Sequence, residues 1–381
     1  MLGGALAVLL TGQIAPAEAL RAINIDVMVF LFGMFVVGQA LIESGYLGSI
    51  ARRIFKNTKD TGGVVLVILF GLGILSALLM NDTLAIIGTP LVLGLAARFK
   101  ISKKLLLLSL AFAITTGSVM SPIGNPQNLL VAVNSGMASP FVTFALYLLV
   151  PTLISLGAAF LVLRVFYRKE FTAITPVLDS PAPGNHRLVM LCQCSLAILL
   201  LLSAANIVTS LAGVPVPIPL PLIALCAAAP ILLFSDERIA VLRRIDWCTL
   251  VFFAAMFVLM AGVWETGFFQ SFISTAQVAT VPAVLGLSVV LSQFISNVPF
   301  VALFQPMILA AGGTTAGLMA LAAGSTIAGN LTILGAASNV IIIQNAEKEG
   351  ETLSFYEFAR VGVPLTLIQI AIFAGWLAVV G

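Results

Sequence analysis

The stretch that decides the fold is Val64–Ala97, which reads VVLVILFGLGILSALLM, then Asn81-Asp82-Thr83, then LAIIGTPLVLGLAA. Two uncharged apolar runs flank three polar residues, and Asp82 is the one ionisable side chain between Asp60 and Arg98. If both runs lie in lipid, a carboxyl sits deep in the membrane, at a cost of about 2.5–3.5 kcal/mol on insertion scales. Chains that keep such a group tend to use it for ions or solutes. A second stretch with the same setting, Ser296-Asn297-Val298-Pro299, comes much later.

Composition agrees with a membrane setting. Of 381 residues, 60% are apolar and only 9% charged, and mean hydropathy is +1.15. A soluble domain would carry about a quarter charged residues. Apolar runs near the ~20 residues needed to span a bilayer recur along the chain. The net charge of +3 says little, because in membrane proteins the placement of Lys and Arg matters more than their sum. No basic patch is interleaved with aromatics, which argues against nucleic-acid binding. Cys192, Cys194, Cys226 and Cys248 have no metal-ligand spacing, and His186 is the only histidine. No metal site, cofactor or nucleophile–base pair is expected, so the chain does not read as an enzyme.

Charge placement gives the topology. Arg52, Arg53, Lys56 and Lys59 precede the opening stretch, and Arg98, Lys100, Lys103 and Lys104 follow it. The positive-inside bias puts both flanks in the cytoplasm. Each arm has roughly 15–17 residues, at or below the lower limit for a span. The favoured reading is a re-entrant hairpin over 64–97 whose tip stops near the midplane; two full spans with the tip outside is the alternative. A helix over 105–133 is interrupted at Ser121-Pro122-Ile123-Gly124-Asn125-Pro126-Gln127-Asn128, where two prolines and a glycine break the hydrogen-bond ladder. Residues 171–187, with Pro176, Asp179, Pro181, Pro183 and Gly184, form a cytoplasmic linker. From Val263 to Thr314 there is no Lys or Arg, so a second hairpin over 281–311 should enter from the opposite side. A second interrupted helix covers 318–343.

The halves repeat. Ile23-Asn24 through Glu43-Ser44-Gly45 aligns without a gap on Ile245-Asp246 through Glu265-Thr266-Gly267. Asn81 and Pro90 fall on Asn297 and Pro306, and Gly124 and Asn128 on Gly335 and Asn339. With opposite charge orientation, this is an all-α polytopic protein of two inverted-topology repeats, 1–170 and 188–381. Each repeat has a re-entrant hairpin and a discontinuous helix, giving about nine to ten spans plus two hairpins. Leu188–Leu211 has no counterpart in the first half; its partner would lie before Met1. The inner (plasma) membrane is expected, with the N-terminus cytoplasmic.

In inverted-repeat folds the site lies near the midplane, where broken helices meet. The solute-binding candidates are Asn81, Thr83, Gly124, Asn125, Asn128, Ser296, Asn297, Gly335, Ser338 and Asn339. Asp82, with Ser118, is the candidate site for a coupling ion, H⁺ or Na⁺. A lone Asn or Ser in a membrane helix is commonly interhelical glue, and it is the repetition that shifts these positions toward a site. Glu43 and Glu265 recur too, but at helix ends, and read as structural. No Lys or Arg is expected in the core, which favours a neutral or weakly charged solute.

Met80-Asn81-Asp82-Thr83 up to Thr89-Pro90 resembles the Asn-Asp segment of ArsB-type arsenite permeases. Ser121 to Asn128 and Ser296-Asn297-Val298-Pro299 are similar to motifs of the wider ion transporter superfamily, which includes the ArsB/NhaD permeases and the divalent anion:sodium symporters. The resemblance runs from about Ile23 to the end. It implies an elevator-like motion of hairpins and broken helices, and often a homodimer. The symporters carry Ser-Asn-Thr at both tips, and this chain departs from that. The expectation is a secondary active transporter, with ArsB-like efflux of arsenite or antimonite against protons. A sodium-coupled importer of an inorganic anion or dicarboxylate, a Na⁺/H⁺ antiporter and a passive channel are the alternatives.

Overall fold

Helices follow one another from end to end of the chain. The computed structural model describes residues 1–55, 58–174, 185–214, 218–272 and 280–381. Most of the 171–187 linker, Lys56 and residues 215–217 lie outside the described residues. Among the described residues the only β-type pairing is an isolated bridge, Asp60 to Ala173.

The first half contains α1 (Leu2–Leu10), α2 (Pro16–Ala22), α3 (Ile25–Ser44) and α4 (Tyr46–Phe55). The hairpin follows as α5 (Thr61–Leu79) and α6 (Asn81–Phe99). The interrupted helix is α7 (Lys103–Ser118) and α8 (Pro126–Asn134), and α9 (Pro140–Phe166) closes the half. The bridging helix α10 (His186–Leu211) comes next. The second half repeats the order: α11 (Leu220–Phe234), α12 (Arg238–Arg244), α13 (Trp247–Glu265), α14 (Phe268–Phe272), hairpin α15 (Val281–Ile295) and α16 (Asn297–Ala310), interrupted helix α17 (Thr315–Ile327) and α18 (Ala337–Lys348), and α19 (Phe355–Val380). By length and composition, seven of these helices can cross a membrane: α3, α5, α6, α9, α10, α13 and α19. Shorter apolar helices α11, α15 and α16 add to them.

Local chemistry explains the elements. Asn24 and Asp246, matched in the repeat, cap α3 and α13 by accepting from Val27 N (3.1 Å) and Thr249 N (2.9 Å). In α9 the ladder loosens into a π turn over Ala145–Leu149, just before Pro151, whose ring and missing N–H disturb the preceding turn. The packing repeats as well. α11 lies on α3 as α1 lies on α13, and α12 touches α3 as α2 touches α13. The halves then cross over: α16 packs on α8, and α18 packs on α6. Gln305 of α16 donates to Val131 O of α8 at 3.1 Å. Lys103 and Lys104 at the start of α7 pair with Glu351 (2.9 Å) and Glu357, tying the two halves on one side.

α5 and α7 touch backbone to backbone. A Cβ on Gly117 would collide with the Gly73 carbonyl, so glycine is required there. The hairpin is thereby held against the interrupted helix behind it.

Candidate functional site

Both hairpin tips bend at a residue with positive φ. Met80 has φ 65° and ψ 143°, and its repeat partner Ser296 has φ 74° and ψ 156°. That backbone region is nearly restricted to glycine, and other residues hold it at about 1–3 kcal/mol. Neither position is a glycine, so nothing in the residue types announces the bend. The matching strain at two aligned tips makes both tips candidates for a functional role. The first tip is buried against the break behind it: Asn81 N donates to Gly124 O at 3.0 Å. An irregular tip surrounded by protein is what re-entry requires.

A cavity of about 560 Å³ lies between the tips. Asn81, Asp82 and Thr83 line it from the first turn of α6, and Asn297, Val298 and Pro299 from the first turn of α16. Pro126 and Gln127 begin α8, Ala336 and Ala337 begin α18, and Asp246 caps α13. Five helix N-termini therefore converge on one space. Their N–H groups and dipoles favour oxygen-rich or anionic groups. Two carboxyls, Asp82 and Asp246, face the same space and oppose a large negative charge. Gly38 of α3 admits the first tip, since a Cβ there would lie 2.7 Å from Thr83 Cγ2.

Asn81, Asp82, Thr83, Ser296 and Asn297 thus stand together on the cavity. Asn297 lines the cavity, and its Oδ1 is buried without a hydrogen-bond partner. The remaining candidates lie behind the cavity wall. Asn125 donates to Ser118 Oγ (3.0 Å) and Thr326 Oγ1 (3.2 Å), and its Oδ1 caps α8 through Asn128 N (2.8 Å). Asn128 donates to the carbonyls of Ser118, Val119 and Ser121 at 3.0–3.1 Å. Gly124 turns its backbone onto Ser118 so closely that no Cβ fits, and Gly335 does the same at Ala328. Asn339 donates to Gly329 O at 2.6 Å. Ser338 Oγ and Asn339 Oδ1 are buried without partners. The amides of Asn125, Asn128 and Asn339 satisfy backbone groups freed at the two breaks, which is the glue role that polar residues take between membrane helices.

Sequence reasoning missed Arg244, Asp246, Thr249, Gln39 and Gln344, which also line the cavity. Arg244 is exposed at the rim of the cavity, so it adds a cation beside the site without placing one in the core. It is the last residue of α12, two residues before Asp246, the cap of α13. The repeat held a signal for Asp246, which aligns on the cap Asn24.

Residues 1–317 match a family model described as CitMHS, citrate transporter. A silicon efflux transporter of Oryza sativa subsp. japonica is 29% identical, covering 97% of this chain and 90% of its own length. An uncharacterized transporter of Mycobacterium tuberculosis is 29% identical, with 93% and 86% covered. The crystal structure of the Alcanivorax borkumensis YdaH transporter, described as having an unusual topology, superposes with a TM-score of 0.62 at 17% identity, covering 93% of this chain and 84% of that one. That likeness concerns the fold alone. The comparisons support a transporter of this general kind and do not single out the arsenite permeases.

Proposed function

This chain belongs to the CitMHS citrate transporter family and is a multi-pass membrane transporter; from that premise we propose that it moves a small, uncharged, hydroxyl-rich acid, such as arsenous or silicic acid, outward in exchange for protons. The observation that carries this is the convergence of five helix N-termini on a cavity that also holds two carboxyls. Oxygen-rich groups suit the N–H ends, while Asp82 and Asp246 disfavour a multiply charged anion. Asp82 sits on the hairpin tip, where its proton can be exchanged as the tip changes exposure. The silicon efflux relative handles a solute of this chemistry by its printed name.

The cavity reaches the late turns of α3 at Gln39 and Ile42 and the start of α13, the ends that the charge pattern assigns to the cytoplasm. In this reading the conformation is inward-open, within an alternating-access cycle in the inner membrane. The elevator motion and homodimer implied by the superfamily resemblance belong to the same proposal. A second reading, citrate, is favoured by the family description and by Arg244 on the wall.

Everted vesicles test this with arsenite, silicic acid, citrate, succinate and Na⁺ under an imposed pH gradient. Arsenite or silicic acid should accumulate with the gradient. Asp82→Asn should abolish gradient-driven accumulation and leave solute–solute exchange in place. Accumulation unchanged in that variant would sink the coupling role. Citrate flux with no arsenite or silicic acid flux would replace the leading substrate with the second.

A further inference from the structure

Among the described residues, Arg244 is the one Lys or Arg lining the cavity. It is not left to a solute. Its Nη1 donates to Glu43 Oε1 at 3.3 Å, and Gln39 Nε2 donates to the same oxygen at 3.0 Å. The Glu43 side chain is 9% exposed while that of Arg244 is 68% exposed. So a nearly buried carboxylate, fixed by a glutamine of its own helix one turn away, holds the rim guanidinium. This is the arrangement in which a protein carboxylate occupies the place an acidic solute would take, since guanidinium pairs geometrically with any carboxylate.

We propose that Glu43 is a specificity-determining residue: by occupying Arg244 it sets the cavity against carboxylate solutes. With the Glu43 carboxylate in place, an entering carboxylate meets a guanidinium with one N–H group already engaged and a like charge immediately behind it. With Glu43 neutral, the guanidinium becomes available at the mouth. The repeat gives the pair no twin. Glu265 aligns on Glu43, but the position aligned on Arg244 is Ala22, so this device belongs to one half only. The inference rests on the cavity being the solute site and on the leading reading above, an uncharged solute, not on the citrate alternative.

Binding of radiolabelled citrate to the purified full-length protein in lipid nanodiscs tests it directly, without any flux measurement. Glu43→Gln should tighten citrate binding about fivefold, the size of effect expected from a charge pair near water. Adding Arg244→Gln in the same chain should erase that gain, while Glu43→Asp should behave as the natural residue. Glu43→Ala provides a second neutral variant if the glutamine disturbs folding. Neutral variants that bind citrate no better than the natural chain, including no binding by either, overturn the proposal. So does a gain that survives loss of Arg244, because a merely structural change at the helix end would not depend on the guanidinium. Arsenite flux measured separately distinguishes these outcomes from failure of the transport reading.

Discussion

Removing the Asn128 amide tests what holds the first helix break together. Asn128 is fully buried, and its Nδ2 lies 3.1, 3.1 and 3.0 Å from the carbonyls of Ser118, Val119 and Ser121. An amide nitrogen has only two hydrogens, so two bonds are made outright and the third carbonyl shares one. Its Oδ1 also accepts from Thr326 Oγ1 at 3.2 Å, across the two halves. Three bonds at about 1 kcal/mol each give about 3 kcal/mol. The smaller average of about 0.6 kcal/mol for polar pairs in membrane proteins brings this to about 2 kcal/mol. Asn128→Ala should therefore destabilise the protein by about 2–3 kcal/mol. Its repeat partner Asn339 makes one short bond, 2.6 Å to Gly329 O, and one long one, 3.4 Å to Thr332 O, and its Oδ1 has no partner. Asn339→Ala should cost only about 1 kcal/mol. Equilibrium unfolding in mixed detergent micelles, compared between the two variants, measures the difference. If Asn339→Ala proves as costly as Asn128→Ala, the bonding asymmetry between the breaks is refuted. If Asn128→Ala keeps full stability but raises KM for solute, its amide belongs to the solute and not to the break.

Other outcomes follow from the same geometry. Gly117→Ala places a methyl against the Gly73 carbonyl and should cost about 1–3 kcal/mol, read as a lower unfolding midpoint; a variant as stable as the parent would show that α5 and α7 can separate freely. Cys248 is exposed and lines the cavity, whereas Cys192 is buried. In a Cys194→Ser/Cys226→Ser background, an impermeant maleimide should label Cys248 from the cytoplasmic side of everted vesicles, and solute should slow it. Labelling only from the opposite side would overturn the inward-open reading.

Much was settled by the sequence alone. Long uncharged runs require helices, because lipid leaves backbone groups no other partners. The Pro-Ile-Gly-Asn-Pro run within Ser121 to Asn128 forces a break wherever it is placed, and the aligned asparagines, glycines and prolines disclose two halves of one plan. The hairpin tips were legible because Asn81-Asp82-Thr83 and Ser296-Asn297 interrupt apolar runs. What the sequence could not separate was an amide facing the cavity from an amide facing a freed carbonyl. Asn81 and Asn128 look alike in one dimension. Only the packing of α18 on α6 and α16 on α8 decides which side each presents. Nor could local charge place Arg244 on the cavity wall, since its position depends on α3 and α13 meeting across two hundred residues of chain. Asp82 marked the site from the start, but the partners around it, and the carboxylate that occupies its one arginine, exist only once both halves have crossed.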